Sequence, residues 1–571
     1  MPFVRLNPSP PQSTAMQAAG LRQAFVSNLG TLFLILCYLG LASWMWVSIA
    51  GRTGSWSYTL DDPYIHGAIA RNVAEHGSFG IIPGEFAGAS SSILWTLSLA
   101  VAYLFFGPAA WVCGALATLF GMLAIERAAK CAELTGMSAI PRTLLVAVAM
   151  AAAPILPILS TGMEHCMHIW ALAGLFSALM ALSAGKPVRP GIIFFWAAMA
   201  AGSRYESMFF LPVLMIWLTL SKRWRALLEL AGGMGAVVIG FGIYATLHGG
   251  FFLPNTLMIK GAGNKATIYT AIWIITDLPD FTVLAFGLFV ASICCLASSN
   301  PSTRRFAWLP CAVFVALLIH LRLARTGTMW RYESYLMAMG IIAVSPLLSA
   351  ALKNLAIFRK SASEFVPRKI LFNRITVPRI AALALAPFPF VIALGAAIPL
   401  VERSLVGHKL IIPAAGNIRD QQIQMSRLVQ LLGDGAGVGV NDLGAVSFFT
   451  NARILDLWGL GDDVMARAVH ENKRDTAFLR KRIDDFGADY VICYPSWFAT
   501  IGLPTSLIPV EEWKLNRNVI CGDALICFYG SSPAAAVRLR EALDAYHALT
   551  PPNPPLEHRV ITLELGSSTA R

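Results

Sequence analysis

The sequence predicts a polytopic α-helical membrane protein with about 11 transmembrane helices, juxtamembrane helices and a C-terminal external α/β domain. Hydrophobic residues make up 56% of the 571 positions and charged residues only 13%, with a mean hydropathy of +0.62. A soluble domain cannot bury that much apolar surface, so much of the chain requires lipid as its solvent. After residue 400, short β-rich runs alternate with helical and turn-rich stretches, which predicts a small domain outside the membrane.

Basic residues set the predicted orientation of the helices. Lys and Arg concentrate between the apolar runs, where the positive-inside rule places them in the cytoplasm. The net charge of +12 therefore does not indicate nucleic-acid binding. After a first span at 29–50, the predicted spans lie near 109–129, 143–161, 165–184, 190–203, 205–221, 227–247, 280–299, 306–323, 333–352 and 379–400.

The same signals divide the chain into four parts. They are a cytoplasmic tail without a signal peptide (1–28), a transmembrane domain (29–400), an external α/β domain (401–535) and a Pro-rich tail (536–571). The first external loop covers 51–108. Its apolar segment 91–107 is predicted as a juxtamembrane or re-entrant helix, because a full crossing there would invert every later basic cluster.

With this topology, the unusual polar motifs all fall on the external face. Asp61 and Asp62 open the first loop, and adjacent carboxylates near a low-dielectric surface cannot both ionise without a partner. One interpretation is a general base or a divalent-cation site with a substrate phosphate. The alternative is an Asp cap on the amphipathic helix that starts at Pro63 and carries His66.

A second polar group follows the span that ends near 161. Glu164 is followed by His165 and, one turn later, by His168. These side chains could face a cavity or hold a metal, although three residues along one helix edge are also the ordinary polar end of a span.

Two Arg-Tyr-Glu motifs interrupt apolar sequence at the predicted outer face. They are Arg204-Tyr205-Glu206 and Arg331-Tyr332-Glu333. Ionisable groups at membrane depth are functional suspects, and Arg can hold a phosphate bidentately, whereas Arg–Glu pairing within each motif is the simpler explanation. Lys260 adds a cation, and Asn255 follows a Pro where turn chemistry is also common.

Taken together, these motifs favour an outward-facing cavity that accepts a lipid-linked phosphate. An enzyme using such a donor fits, and a transporter fits in part, but a transporter is expected to have internal repeats and polar residues at the midplane. Ten cysteines show no metal-ligand spacing. If the C-terminal domain is exported, Cys521 and Cys527 could pair.

The order of motifs in the first loop is similar to that of a known family. The matching stretches are DDPYI (61–65), ARN (70–72), HGSFGIIPGE (76–85) and SSSILW (90–95). On these residues the chain resembles the GT-C superfamily of polyprenyl-phosphate-sugar-dependent membrane glycosyltransferases, in its arabinofuranosyltransferase-like and protein mannosyltransferase-like branches. Weaker similarities are TGMEH (161–165), both RYE motifs, LPNT with a following Lys (253–260) and the segment 440–460.

The resemblance implies an inverting transfer on the periplasmic face of a bacterial inner membrane. The sugar would pass from polyprenyl phosphate to a hydroxyl of an envelope glycan, lipid or protein. The family register places the general base on Asp62, with Asp61 supporting it or helping to hold a possible divalent cation. The implied phosphate ligands are Arg204, Lys260, Arg331 and Tyr332, and the implied cavity residues are His66, Glu164, His165, Glu206, Asn255 and Glu333.

Departures from the family pattern leave the sugar open. His165 stands where Thr is usual, and Tyr205 stands where Pro is common. Two other classes of function also stay open: a transporter or flippase of a lipid-linked sugar, and a non-catalytic envelope-assembly protein. Asp442 and Asp456 in the external domain could face the cavity, although turn and cap roles fit their positions beside strands.

Overall fold

The structure of the protein is a computed structural model that describes residues 14–261, 279–363, 388–549 and 556–561. The N-terminal region is helical, and a mixed α/β domain follows it. The helices of the first region run in this order: α1 (Thr14–Thr53), α2 (Asp62–His76), α3 (Ile93–Phe106), α4 (Trp111–Leu134), α5 (Ala139–Ala152), α6 (Ile155–Ser160), α7 (His165–Ser183), α8 (Ile192–Ser203), a 3-10 turn (Tyr205–Phe210), α9 (Leu211–Leu220), α10 (Trp224–Leu247), α11 (Asn255–Gly261), α12 (Pro279–Leu296), α13 (Pro301–Arg304), α14 (Trp308–Leu323), α15 (Ser334–Ala343), α16 (Ser345–Ser363) and α17 (Phe388–Ile418).

Apolar helices dominate this region. Within the described residues, six helices are long and apolar enough to cross a membrane: Asn28–Thr53, Trp111–Leu134, His165–Ser183, Trp224–Leu247, Pro301–Leu323 and Ser334–Leu355. Shorter apolar helices accompany them, and Ile93–Phe106 in the segment 91–107 is one of these, with 14 residues. The protein is therefore a multi-pass membrane protein with a helical membrane region, while the count of about 11 spans stays a prediction.

The C-terminal domain is built on a six-stranded mixed sheet. Its elements are a π-turn (Arg419–Ile423), α18 (Gln424–Leu431), β1 (Gly437–Val440), α19 (Gly444–Phe449), β2 (Arg453–Asp456), α20 (Asp463–His470), α21 (Thr476–Phe486), β3 (Tyr490–Cys493), a 3-10 turn (Pro495–Phe498), β4 (Ile508–Leu515), β5 (Leu525–Gly530), α22 (Pro533–Leu549) and β6 (Leu556–Val560). The strand order is β2-β1-β3-β5-β4-β6, parallel among the first three strands and antiparallel from β3 onward.

Two details of this domain differ from the sequence-based expectation. The stretch 536–571 was expected to be a Pro-rich tail, but α22 packs on β4 and β5, and β6 extends the sheet as its edge strand. The amphipathic pattern of α22, with Leu539 and Leu543 buried, explains this result. The described cysteines are all free, so Cys521 and Cys527 do not pair; Cys527 instead lies opposite Cys493 in the β3–β5 register.

Helix α2 connects the two regions. Proline stands in its first turn, and Gly77 ends it in the left-handed conformation with φ of 67°. The sequence suggested an amphipathic helix at the lipid surface, but both faces of α2 are buried, because α3 covers one side and α19 another. The fit at α19 is close: a Cβ on Gly67 would lie 2.9 Å from the Phe448 ring.

Candidate functional site

The two adjacent aspartates of the first loop have different surroundings. Asp61 is buried, and its carboxylate accepts the backbone N–H groups of Gly444 at 2.5 Å and Ala445 at 2.8 Å. It precedes α2 but makes no side-chain cap, so the capping interpretation is wrong for this residue. Asp61 therefore ties the first loop to the start of α19, across 383 positions of sequence.

Asp61 also faces Asp442, which the sequence left as a turn residue. Asp442 accepts a hydrogen bond from Gln422 Nε2 at 2.8 Å and lies 3.0 Å from the Tyr494 hydroxyl. Burial raises the pKa of Asp61, and the neighbouring Asp442 carboxylate raises it further. Burial likewise raises the pKa of Asp442, so the pair is expected to hold a proton between its two carboxyl groups.

Asp62 points instead toward Arg331, which forms a cationic cluster with Arg204 around Tyr332. Its side chain keeps 33% of its surface exposed, and its Oδ2 atom lies 2.5 Å from Nη1 of the buried Arg331. Arg331 also donates to the Tyr332 hydroxyl at 2.9 Å and stacks 4.7 Å from the centre of that ring. The Asp61 and Asp62 carboxylates therefore bond to different partners in this structure.

The Arg204-Tyr205-Glu206 motif also contacts Tyr332. The Arg204 guanidinium is 5.6 Å from the Tyr332 ring centre. Its Nη1 donates to Glu164 Oε1 and its Nη2 to Glu206 Oε1, each at 2.5 Å. Two buried guanidinium groups thus lie beside one aromatic ring, and both are anchored by carboxylates.

The predicted Arg–Glu pairing within each Arg-Tyr-Glu motif is correct for one motif and wrong for the other. Arg204 does pair with Glu206 of its own motif, but Arg331 pairs with Asp62 rather than with Glu333. Glu333 is buried, accepts the Gly327 N–H and pairs with Arg403, which also contacts Asp280. Sequence reasoning missed Arg403, although a charged pair inside the apolar run IPLVERSL was a signal of the same kind as RYE.

Several buried polar atoms near the cluster have no hydrogen-bond partner among the described residues. They are Glu164 Oε2, both ring nitrogens of His165, and Arg331 Nε. Buried polar groups are normally satisfied, so such a group of orphans marks a place where a polar ligand would bind. Met163, next in the chain to Glu164, accepts from Arg331 at 2.9 Å, which places the orphan atoms beside the Asp62–Arg331 pair.

His66 lies beside Glu164, one of the carboxylates that hold Arg204. Its Nδ1 atom lies 3.1 Å from Ser90 Oγ and 3.2 Å from Thr96 Oγ1, and its Nε2 atom lies 3.7 Å from Glu164 Oε2. Burial lowers the pKa of His66, so its ring is neutral near pH 7. His168 bonds to Ser207, and among the described residues Glu164, His165 and His168 do not converge as metal ligands.

The remaining predicted residues have no described contact with this cluster. Asn255 donates to the Leu460 carbonyl at 3.1 Å and to Asp463 at 2.6 Å, so it joins α11 to the C-terminal domain. Lys260 lies in α11, but its side chain is outside the described part of the structure. Asp456 accepts the N–H groups of Trp458 and Gly461, which is the turn role that the sequence predicted for it.

An apolar cavity of about 380 Å³ opens beside α2 and α3. Its lining includes Val73, Ile93, Leu94 and Phe241. Ser92, next to Ile93, donates to the carbonyl of Ser203, which directly precedes Arg204. The hydrogen bond from Ser92 therefore links the segment that lines the cavity to the segment that carries Arg204.

The fold is similar to that of solved membrane glycosyltransferases. The similar structures are ArnT from Cupriavidus metallidurans bound to undecaprenyl phosphate (TM-score 0.50, 14% identity, 88% of this chain and 98% of that chain), the apo Archaeoglobus fulgidus oligosaccharyltransferase (TM-score 0.50, 12% identity, 87% and 74%) and the mycobacterial arabinofuranosyltransferase AftD (TM-score 0.45, 13% identity, 87% and 40%). Residues 416–531 match a family described as a domain of unknown function (DUF8728). No curated protein sequence matches the chain. The predicted GT-C resemblance is therefore confirmed at the level of the fold.

Proposed function

We propose that the protein is an inverting glycosyltransferase that moves a sugar from a polyprenyl-phosphate donor to a hydroxyl acceptor at the external face of the membrane. One observation carries the proposal: in a GT-C fold, the partly exposed Asp62 is held by Arg331 beside buried polar atoms that have no hydrogen-bond partner among the described residues. A carboxylate beside polar atoms that a ligand could bond, with two guanidinium groups nearby, suits acid–base chemistry on a phosphate ester.

Asp62 is the general base in this proposal. It takes the proton of the acceptor hydroxyl, whose oxygen attacks the anomeric carbon from the side opposite the phosphate. The bond between that carbon and the phosphate oxygen breaks, and polyprenyl phosphate leaves with the electron pair. Asp61 has a positioning role, since its oxygens are occupied by the N–H groups of Gly444 and Ala445.

Arg331 and Arg204 hold the phosphate. Within the described part of the chain, Arg331 Nε is a buried donor without a partner, so it can bond a phosphate oxygen while Nη1 keeps Asp62 in place. Glu164 and Glu206 fix Arg204 in the same way that Asp62 fixes Arg331. Lys260, on α11, is a further phosphate ligand of the proposal.

Two other parts of the site support a lipid-linked sugar. His66, His165 and Glu164 supply donors and acceptors for sugar hydroxyls. The cavity lined by Val73, Ile93 and Phe241 suits part of the isoprenoid chain of the donor, because its lining is apolar. ArnT, whose fold is similar, was solved with undecaprenyl phosphate.

The test is release of polyprenyl phosphate by purified protein in detergent. A panel of polyprenyl-phosphate sugars is incubated with an extract of envelope glycans and lipids as acceptor. Release from one donor, absent in Asp62→Asn, is the expected result, and it identifies the sugar. Donor binding without release by the wild type contradicts the enzyme and favours a carrier of the lipid-linked sugar.

A further inference from the structure

We propose that Glu511, His547 and His558 bind a Zn²⁺ ion that fixes the edge strand β6 to the rest of the C-terminal domain. The proposal is independent of the proposed transferase, because the three residues belong to β4, α22 and β6 and none of them contributes to the Asp62 cluster. Among the described residues, this is the group of three His, Cys, Asp or Glu side chains whose ligand atoms lie within 4.8 Å of one another.

The fold brings the three side chains to one face of the sheet. Glu511 and Trp513 are two residues apart on β4, so they point to the same face. The antiparallel register pairs Trp513 with His558, which makes His558 a diagonal neighbour of Glu511. Helix α22 packs on this sheet and supplies His547 from its last turn.

The distances fit a zinc site with little movement. His547 Nε2 lies 2.8 Å and His558 Nδ1 lies 3.5 Å from Glu511 Oε1. Tetrahedral zinc, with ligand bonds of about 2.0–2.2 Å, separates its ligand atoms by about 3.3 Å. The two observed distances lie on either side of that value, so side-chain rotations of a few tenths of an ångström would open space for the ion.

The chemistry of the three ligands also favours zinc. Two imidazoles and one carboxylate are a borderline-soft set of the kind that binds Zn²⁺ rather than Mg²⁺ or Ca²⁺. Glu511 is fully buried, and Trp513 Nε1 donates to its Oε1 at 2.6 Å, which orients the carboxylate. Arg540 lies 3.4 Å from the other oxygen, Oε2, so it leaves the side facing the histidines available.

The position of the cluster suggests a structural role for the ion. Strand β6 is the outermost strand, spans five residues and is paired on one side only, with β4. Short edge strands with few contacts open readily. An ion bound by one residue from β4, one from α22 and one from β6 would join all three elements at once.

The experiment uses the full-length protein in detergent, purified without a polyhistidine tag and stripped with a chelator. Co²⁺ is titrated while its visible absorption is followed, and Zn²⁺ is then added as the competitor. We expect one ion per chain in the wild type. His547→Ala and His558→Ala should each weaken binding by at least the 10–100-fold that loss of an outer-shell partner alone produces.

His470→Ala, which removes an exposed histidine of the same domain, is the matched control and should bind the ion as the wild type does. Hydrogen exchange of residues 556–561 gives the second readout, and Zn²⁺ should slow it in the wild type and in His470→Ala only. Absence of stoichiometric binding by the wild type, or unchanged binding by the double variant of His547 and His558, would overturn the site. Binding of the ion without slower hydrogen exchange would overturn the proposal that it fixes strand β6.

Discussion

Replacing Asp61 tests whether this residue is a structural tie rather than the base. Its carboxylate accepts two buried backbone N–H groups, from Gly444 and Ala445. Asp61→Ala leaves both donors unpaired, and each unpaired buried donor costs about 1–3 kcal/mol. Removing the carboxyl also removes the cost of burying it away from water, so we expect a net local loss of about 2 kcal/mol. Asp61→Asn should lose less, because its amide oxygen still accepts one N–H group and its amide nitrogen can donate to Asp442.

Hydrogen exchange of α2 and α19 measures this loss directly. At 1.4 kcal/mol per decade, exchange of the amides in these helices should become about 30-fold faster in Asp61→Ala. Gly444→Ala should produce the same change by a different route, since its Cβ would lie 2.2 Å from the Asp61 carbonyl oxygen. Gly416→Ala is the control, because a Cβ at that position meets no atom within 4 Å. Unchanged exchange in both Asp61→Ala and Gly444→Ala would refute the tie.

Three further predictions follow from the same contacts. Arg331→Lys keeps the charge but loses the planar guanidinium group. It should weaken binding of polyprenyl phosphate, measured by titration, about 10-fold to 150-fold, which is the range expected for a lost charged hydrogen bond. Equal affinity would contradict the phosphate role. The raised pKa of the Asp61–Asp442 pair means that the folded protein binds more protons than the unfolded chain above about pH 4, so its stability falls as pH rises through the folded pKa. Asp442→Asn lacks one of the two carboxyls, so its stability in thermal unfolding should rise relative to that of the wild type as pH increases above about 4, and a constant difference across that range would contradict the paired carboxyls. Asn255→Ala removes the donor to Leu460 and Asp463, which should lower the local stability of helix α20 by about 1–3 kcal/mol. The backbone amides of α20 should therefore exchange hydrogen faster. Unchanged exchange there would mean that this contact does not hold the two regions together.

Much of the fold could be predicted from the sequence because apolar runs and basic clusters are strong local signals. The helical membrane region, the short helix at 91–107 and the β-rich domain after 400 all depend on composition over windows of residues. The C-terminal boundary could not be read in the same way. Strand β6 follows a Pro-rich stretch and becomes a strand only by pairing with β4, which is a long-range contact without a local signal.

The sequence indicated which residues belong to the site, but not which of them pair with one another. Arg331 and Glu333 stand two positions apart, so pairing within the motif was the simplest expectation. The fold instead brings Asp62 to Arg331 across 269 positions and Arg403 to Glu333 across 70. Asp442 was left as a turn residue because nothing near it in sequence shows that Asp61 lies opposite. Ion pairs between distant segments depend on tertiary packing, which a single sequence does not encode locally.

The most direct test of the account compares Asp62→Asn with Asp61→Asn in a single-turnover transfer assay, with donor affinity measured in parallel. Loss of a general base lowers the rate by about 10²–10⁴-fold, and the account predicts this loss for Asp62→Asn with donor affinity changed less than about 10-fold. Asp61→Asn should keep most of the rate, since its carboxylate only positions the loop. A fast Asp62→Asn enzyme together with an inactive, fully folded Asp61→Asn enzyme would contradict the assignment of Asp62 as the base.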